Sequence, residues 1–576
     1  MKRWLGFVLA WVLVLGGGFL ANRVQTDGGR VAVSEVRIPA GDGLQVSGLL
    51  YRPETATPQS RAPAVLVSHG YINTREMQSP FAIELSRRGF VVLAMDMTGH
   101  GWSGGIVGTA DFGGPAALRW LRSQPFVDPA NIGMEGHSMG GNPILAAAME
   151  IPDGYRSIVL EGATLGLLGA RAPENPRNVA VVFGAYDEFA GLMWQVPKGA
   201  DIGQSKKLQT LFGVSTPVEP DRLYGSIADG SARILAVPPI THPWEHFSNS
   251  AVGAAVDWFQ RTLPAPDAKP PPSQVWIWKE VGTLISLAGL VWLILFTFDL
   301  LLRFKPFAAL AQEPRPAVER RDGRWWLTLA VTAVLPAVTY LPLMKLGQIF
   351  FPNPAFPQWV QNQLLVWALA TALIGWIVGL FLRRRAAFTH RWGASILIAL
   401  ATMGVAYLAM TALYILFKTD VRFWVVGMKT LDATRALQLP GYLILWTVFF
   451  LVTLRSLCGG LAVKGEGFMG RIALFKIAMS AGFLGLVAWQ YATLFATGLL
   501  ATPTEPLNVV IAIQFVPLLA IVGAIAAWTY NRTNSYVPGA LICALFISWY
   551  VTSGTANHWQ PGYAPQPPGA AAPAKG

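Results

Sequence analysis

The sequence predicts an α/β domain with a mostly parallel sheet, set between an N-terminal membrane anchor and an all-α polytopic membrane domain. Three observations lead there. A run of 18 residues without a charge, Trp4 to Ala21, stands directly behind Met1-Lys2-Arg3. Between residues 31 and 263, short β-rich apolar runs alternate with amphipathic helical stretches and carry many of the acids. From residue 281 to 555 the chain is a series of long apolar runs broken by short polar loops. The 576 residues are 53% hydrophobic and only 13% charged, which is not the balance of a soluble enzyme.

The first segment, 1–24, reads as an uncleaved anchor. A cleavable signal peptide would have a shorter apolar core and a better small-residue site than one with Phe19 three positions before its end. On either reading Lys2 and Arg3 stay in the cytoplasm and the domain behind them is exported.

Within 31–263 the apolar run Ala62 to Ser68 is a buried strand, followed by a helix from about Glu76 to Arg88. Phe90 to Met95 is a second strand, and a helix follows over about Asp111 to Ser123. Asn131 to Glu135 leads into Gly136-His137-Ser138-Met139-Gly140-Gly141. Ser157 to Leu160, Val179 to Phe183 and Arg233 to Val237 supply three later strands. Strands alternating with helices give a mostly parallel sheet with helices on both faces.

A Pro-rich linker at 264–280 leads to eight spans, near 281–303, 325–346, 363–382, 394–417, 440–458, 472–497, 509–530 and 539–553. Each is close to the ~20 residues that cross ~30 Å of hydrocarbon, the last being the shortest. Residues 556–576, rich in Pro and Ala from about Pro561, read as a disordered tail. With the α/β domain outside, the inner loop 303–324 holds Arg303, Lys305, Arg315, Arg320, Arg321 and Arg324, and the inner loop 383–392 holds Arg383, Arg384, Arg385 and Arg391. The outer loops 347–362 and 499–508 contain no Lys or Arg. The outer loop 418–439 is an exception, with Lys418, Arg422, Lys429 and Arg435 against Asp420 and Asp432. The positive-inside rule still favours this orientation, in a bacterial cytoplasmic membrane. Asp299 lies four residues before Arg303, the spacing of a helical ion pair, and Arg455 and Lys476 sit where they can snorkel.

The net charge of +12 raises nucleic acid as a partner, but the cations cluster beside the spans, so no nucleic-acid partner is expected. Cys458 and Cys543 both fall in apolar runs and are poor candidates for a disulfide, a metal ligand or a nucleophile. No metal or cofactor is expected. Membrane lipid is the one expected neighbour, and protein partners are not legible.

Chemistry concentrates on Ser138. A serine hydroxyl is a weak nucleophile and must face a base and oxyanion donors. A strand-to-helix turn exposes it, and only small flanking residues allow so tight a turn, which Gly136 and Gly140 supply. The order Ser68-His69-Gly70, Asp96-Met97-Thr98-Gly99-His100-Gly101-Trp102-Ser103, Gly136 to Gly141 and Gly184-Ala185-Tyr186-Asp187 resembles the α/β-hydrolase superfamily, most closely its dienelactone-hydrolase-like and esterase-like members. The resemblance covers roughly 32–262 and leaves the eight later spans without a recognised family. It implies the order nucleophile, acid, histidine. Asp187 stands where the family places its acid, with Glu188 as the neighbouring alternative. The expected base is His242, directly off the last strand, with His246, nearer the final helix, as the alternative. Backbone N–H groups of Tyr71 and Met139 are implied as the oxyanion hole, each such donor contributing roughly 3 kcal/mol to the transition state. His69 resembles the His-Gly oxyanion-loop signature, while His100 and His137 read as packing residues.

A lid over the site could come from 188–230, where Leu192, Met193, Trp194, Leu211 and Phe212 are apolar; these could equally be core. The resemblance implies hydrolysis of a carboxylic ester or thioester, of a small-molecule or lipid-like acyl substrate, through an acyl-enzyme. A peptidase, an acyltransferase, or a transporter or sensor coupled to a hydrolase-like domain are the competing readings.

Overall fold

The computed structural model describes residues 2–382, 384 and 386–563; Arg383 and Arg385 of the predicted inner loop, and the predicted tail beyond 563, lie outside them. Helix α1 (Lys2–Gln25) leads into an eight-stranded sheet: β1 (Val31–Pro39), β2 (Gln45–Pro53), β3 (Ala62–Ser68), β4 (Val91–Met95), β5 (Val127–His137), β6 (Ser157–Glu161), β7 (Val179–Val182) and β8 (Arg233–Ala236). The order across the sheet is β1-β2-β4-β3-β5-β6-β7-β8. β3 to β8 run parallel, while β1 and β2 form an antiparallel edge, with Val33 opposite Tyr51 and Gly48 opposite Met95.

The central strands read as continuous apolar runs because both faces are covered. Val65 and Val67 face one core with α2 (Ser79–Ser86) and α7 (Asn249–Thr262). Ala64 and Leu66 face the other, with α3 (Gly114–Arg122) and α4 (Gly141–Glu150). Two short helices, α5 (Ala190–Trp194) and α6 (Lys206–Phe212), join this second core: Met193, Trp194, Leu211 and Phe212 are buried in it. These four residues are therefore core; Leu192 is exposed, and it and Met193 border the cavity described below.

The remainder is helical: α8 (Trp276–Leu301), the short α9 (Lys305–Ala308), α10 (Gly323–Gly347), α11 (Trp359–Leu382), α12 (Trp392–Phe417), α13 (Ala433–Leu461), α14 (Phe468–Thr497), α15 (Pro506–Thr533) and α16 (Val537–Gly554). Among the described residues, nine helices are long and apolar enough to cross a membrane: α1, α8 and α10 to α16. Small residues let α1 and α8 approach closely, Gly17 lying against the Gly282 carbonyl and Gly289 against Val14. The segment before α8 is pinned rather than loose. Arg88 donates to the carbonyls of Pro270 (2.9 Å) and Ser273 (3.0 Å), and the Glu84 carboxylate accepts the N–H groups of Val275 and Trp276 that open α8.

The connecting segments gather at two ends of the bundle. One set, around 312–322, 384–391 and 463–466, is tied together by Thr389 to Asn534, Lys464 to Val318 and Arg384 to Asp322. At that end Asp299 pairs with Arg532 (2.9 Å) and Arg3 (3.6 Å) and accepts the Trp528 indole (3.0 Å). This corrects the expected Asp299–Arg303 pair: Arg303 is exposed, and the partners come from other helices. The other set, around 355–358, 418–432, 498–508 and 555–558, meets the α/β domain.

Of the cations of the exceptional loop 418–439, Lys429 pairs with acids of the α/β domain, while Arg422 and Arg435 pair with Asp420 and Asp432 of the loop itself. Lys429 reaches both oxygens of Glu76 at 2.9 Å and Asp96 at 3.7 Å, Arg422 pairs with Asp420 at 2.8 Å, and Arg435 donates to the Gly99 carbonyl. Two short strands, β9 (Val421–Phe423) and β10 (Val426–Met428), stiffen this loop.

The tail predicted to be disordered from 556 is ordered at its start. Asn557 exchanges backbone hydrogen bonds with Gly99 and Val107, and His558 is buried.

Candidate active site

β5 runs between β3 and β6, and its end carries Ser138 at φ +55°, a left-handed conformation rare for a serine. The chain turns at once into a short 3₁₀ segment, Ser138–Gly140, and then α4. A Cβ on Gly136 would collide with the Gly140 carbonyl, and one on Gly140 with the Ser68 carbonyl. The two glycines are thus required by backbone crowding, and the strain falls on the residue between them.

Ser138 is half-buried on the floor of a cavity of about 570 Å³. From the α/β domain come Gly70, Tyr71, Met139, His242 and His246. The facing wall belongs to the helical part: Trp359, Val425, Pro506, Leu507, Val510 and His558. Ser138 therefore opens toward the helical part of the chain, which covers the cavity for which segment 188–230 is the sequence's candidate lid.

The structure brings Asp187 and His242 together. Asp187, after β7, accepts the Phe189 N–H through one oxygen (2.6 Å), and its other oxygen lies 2.7 Å from His242 Nδ1. Both groups are buried. Burial alone would lower the His242 pKa, but the Asp187 carboxylate more than offsets it, so the imidazole is raised above its ordinary value. His246 also borders the cavity, yet neither ring nitrogen has a hydrogen-bond partner among the described residues, and burial pushes its pKa down to about 3. Among the described residues Glu188 makes no hydrogen bond to the His242 ring. It accepts the His242 backbone N–H (2.8 Å) and, through its other oxygen, the Tyr491 hydroxyl of α14 (2.6 Å). Burial and neighbouring Asp187 push its carboxyl up to about 7.

Across the cavity, Tyr71 is held at both ends. His100 Nε2 lies 2.5 Å from its carbonyl oxygen, and His558 Nε2 lies 2.6 Å from its hydroxyl. Burial lowers His100 to about 3 and His558 to about 4, so both rings are neutral near pH 7. His69 accepts the Met97 N–H at Nε2 (3.1 Å), and its Nδ1 lies 2.8 Å from the Gly70 carbonyl, which makes it a brace beneath the loop. Met139 lies in the first turn after Ser138, where helical N–H groups have no intrahelical acceptor and are free to face the cavity.

Sequence reasoning missed three contributors. Tyr491 and His558 come from the helical part, and no local motif announces them. Glu245 is buried under the histidines, accepting the Gly184 N–H (2.8 Å), with its other oxygen 3.4 Å from His242 Nδ1 and 3.3 Å from His137 Nε2. Burial, Asp187 and Glu161 raise its carboxyl well above the usual range, favouring the neutral acid. His137, His242 and Glu245 could geometrically converge on a cation. A neutral Glu245 and a His242 Nδ1 already facing Asp187 fit a hydrogen-bonded cluster better.

Residues 63–190 match the family model described as the alpha/beta hydrolase fold. An uncharacterized protein of Mycobacterium tuberculosis is 32% identical over 120 residues, 20% of this chain and 42% of that protein. A thiohydrolase of Aspergillus aculeatus is 32% identical over 124 residues, 20% of this chain and 37% of that protein. The chain thus spans about two fifths of the length of these relatives. Among solved structures, a dienelactone hydrolase from Anabaena variabilis aligns at 18% identity over 41% of this chain and 99% of its own, with a TM-score of 0.29. An esterase of Pyrococcus furiosus aligns at 19% identity over 41% and 92%, with a TM-score of 0.30. The α/β part of the chain has the α/β-hydrolase fold, and the rest is a helical domain with several candidate spans.

Proposed function

We propose that this chain, an α/β-hydrolase fold joined to a polytopic helical domain, is a membrane-bound serine hydrolase that cleaves a carboxylic ester or thioester through an acyl-enzyme. The observation that carries the reading is the site itself: Ser138 at φ +55° and His242 border one cavity, and His242 Nδ1 lies 2.7 Å from Asp187.

In this reading His242 Nε2 takes the Ser138 Oγ proton as Oγ attacks the carbonyl carbon. The carbonyl π pair moves to oxygen, and the N–H groups of Tyr71 and Met139 stabilise that oxyanion. Collapse re-forms the carbonyl and expels the alcohol or thiol, which takes the proton from His242. Water, deprotonated by His242, then attacks the acyl-Ser138 ester, and the acid leaves as Oγ regains its proton. Asp187 keeps the proton of the neutral ring on Nδ1 and stabilises the imidazolium. Tyr491 and His558 act as positioning residues, because Tyr491 braces the His242 strap through Glu188 and His558 holds Tyr71.

The domain faces the extracytoplasmic side in this reading. The cation-rich segments from 303 to 324 lie at the bundle end away from it, while the outer-loop cations Arg422 and Lys429 are matched by acids. Reporter fusions at residues 310 and 350 test this, with cytoplasmic signal expected only at 310. Purified protein given matched ester, thioester and peptide substrates should turn over the first two classes and lose that turnover in Ser138→Ala. Turnover of the peptides alone, or turnover surviving the substitution, contradicts the reading.

A further inference from the structure

Beside the site lies a second, smaller cavity of about 60 Å³. It shares Ile72, Asn73, Val425 and Gln514 with the first, so the two adjoin across these four residues. Its far walls are membrane helices: Leu364 of α11, Ile511, Phe515 and Leu518 of α15, and Ile547 and Val551 of α16. All six of these side chains are buried, and they present hydrocarbon rather than any hydrogen-bonding group. At the junction stands a polar pair, the Tyr550 hydroxyl donating to Gln514 Oε1 at 2.5 Å.

The opposite rim of the main cavity differs in chemistry. There Gly108, Asp111 and Arg171 line the opening, and Arg171 pairs with Asp111 at 2.8 Å while remaining exposed to water. Arg422 and Lys429 also line the recess on its loop side, where Asp420 and Glu76 neutralise them, so its helical wall is the apolar one. A ligand lying across Ser138 thus meets the exposed Arg171–Asp111 pair and, in the recess, a hydrocarbon wall of α11, α15 and α16.

We propose that the recess between α11, α15 and α16 is a binding site for the hydrocarbon chain of the substrate, which makes the substrate a single-chain amphiphilic ester or thioester with its polar part at the Arg171–Asp111 rim. This rests on the reading of Ser138 as the nucleophile. The recess lies in the helical domain, so chain-length selection resides outside the hydrolase fold. Burial of each added methylene favours the longer substrate until the recess is filled.

Butyl and dodecyl fluorophosphonates, reacted with the full-length protein in lipid nanodiscs, measure this through the ratio of their labelling rates at Ser138. The dodecyl probe should react at least tenfold faster with wild type. Leu518→Trp, which fills the recess from α15, should reduce that ratio at least tenfold, and Leu364→Trp should do the same from α11. Probe partition into lipid is common to wild type and variants and cancels in the comparison. A ratio unmoved in both variants, whether the two rates hold or fall together, overturns the proposal. Absence of labelling by either probe in wild type instead removes the nucleophile reading. The recess is then tested in Ser138→Ala with a palmitoyl ester bearing a terminal diazirine. Crosslinks should map to 511–518 or 547–551, and crosslinks confined to lipid-exposed residues such as Leu437 and Ile444 overturn it.

Discussion

Replacing Lys429 by Met should loosen the contact between the two domains. The Lys429 ammonium lies 2.9 Å from Glu76 and 3.7 Å from Asp96, all three side chains being buried. At an effective dielectric near 20, those distances correspond to gross attractions of about 6 and about 4 kcal/mol. The desolvation of the lysine offsets much of this. What the substitution exposes is the remainder, two buried carboxylates left to share Arg75, which lies 3.3 Å from Glu76 and 3.8 Å from Asp96. Removing one member of such a buried group costs about 3–5 kcal/mol, or two to four orders of magnitude in an opening equilibrium. Hydrogen exchange read by mass spectrometry in nanodiscs should therefore show Ile72–Gln78 and Val421–Met428 exchanging at least a hundredfold faster at neutral pH, with Lys429→Arg recovering much of the protection. The pH dependence has a definite sign. Burial raises the Glu76 carboxyl, and Lys429 and Arg75 more than reverse this, holding it well below the usual carboxylate range. Its contribution is therefore present above the unfolded pKa of about 4.3 and is lost as pH falls through the lower folded value. In the variant the folded pKa rises, so the difference from wild type should shrink below about pH 5. Exchange within a few-fold of wild type at pH 7 would refute the reasoning.

Asp187→Asn should lower kcat about 10⁴-fold, the magnitude seen when a triad aspartate loses its charge, whereas Glu188→Gln, which keeps an acceptor for the His242 N–H, should cost less than about tenfold; steady-state ester hydrolysis distinguishes them. Because Asp187 raises His242 above its ordinary pKa and the base must be neutral, kcat/KM should rise with pH through a midpoint above 6.5. The residual activity of Asp187→Asn should show that midpoint lowered. Gly136→Ala places a methyl group against the Gly140 carbonyl and should destabilise the protein by about 1–3 kcal/mol and abolish serine labelling, read by thermal unfolding and by probe gel.

Legibility in the sequence followed the range of the interactions involved. The parallel strands were readable because runs such as Ala62–Ser68 are buried on both faces and so uniformly apolar. The edge pair β1 and β2 was not resolved, since β1 alternates with solvent and lacks such a run. Ser138 stood out because backbone crowding leaves a local signature in Gly136 and Gly140. Position favours His242 over His246 only weakly, as both lie in one short segment, His242–Phe247, and the turn's geometry decides which ring meets Asp187. The i,i+4 rule misread Asp299 because its partner Arg532 lies 233 residues away on another helix. The same limit hid Tyr491 and His558, and it hid Glu76 and Asp96 as the acids opposite Lys429 of the exceptional loop 418–439.

The central claim is that Ser138 is an activated nucleophile facing the membrane helices. Fluorophosphonate labelling of the full-length protein, followed by peptide mapping, tests it most directly. A single adduct on Ser138, absent in Ser138→Ala and slowed at least a hundredfold in His242→Ala, is the predicted result. An adduct on another residue, or labelling that persists in Ser138→Ala, would contradict it.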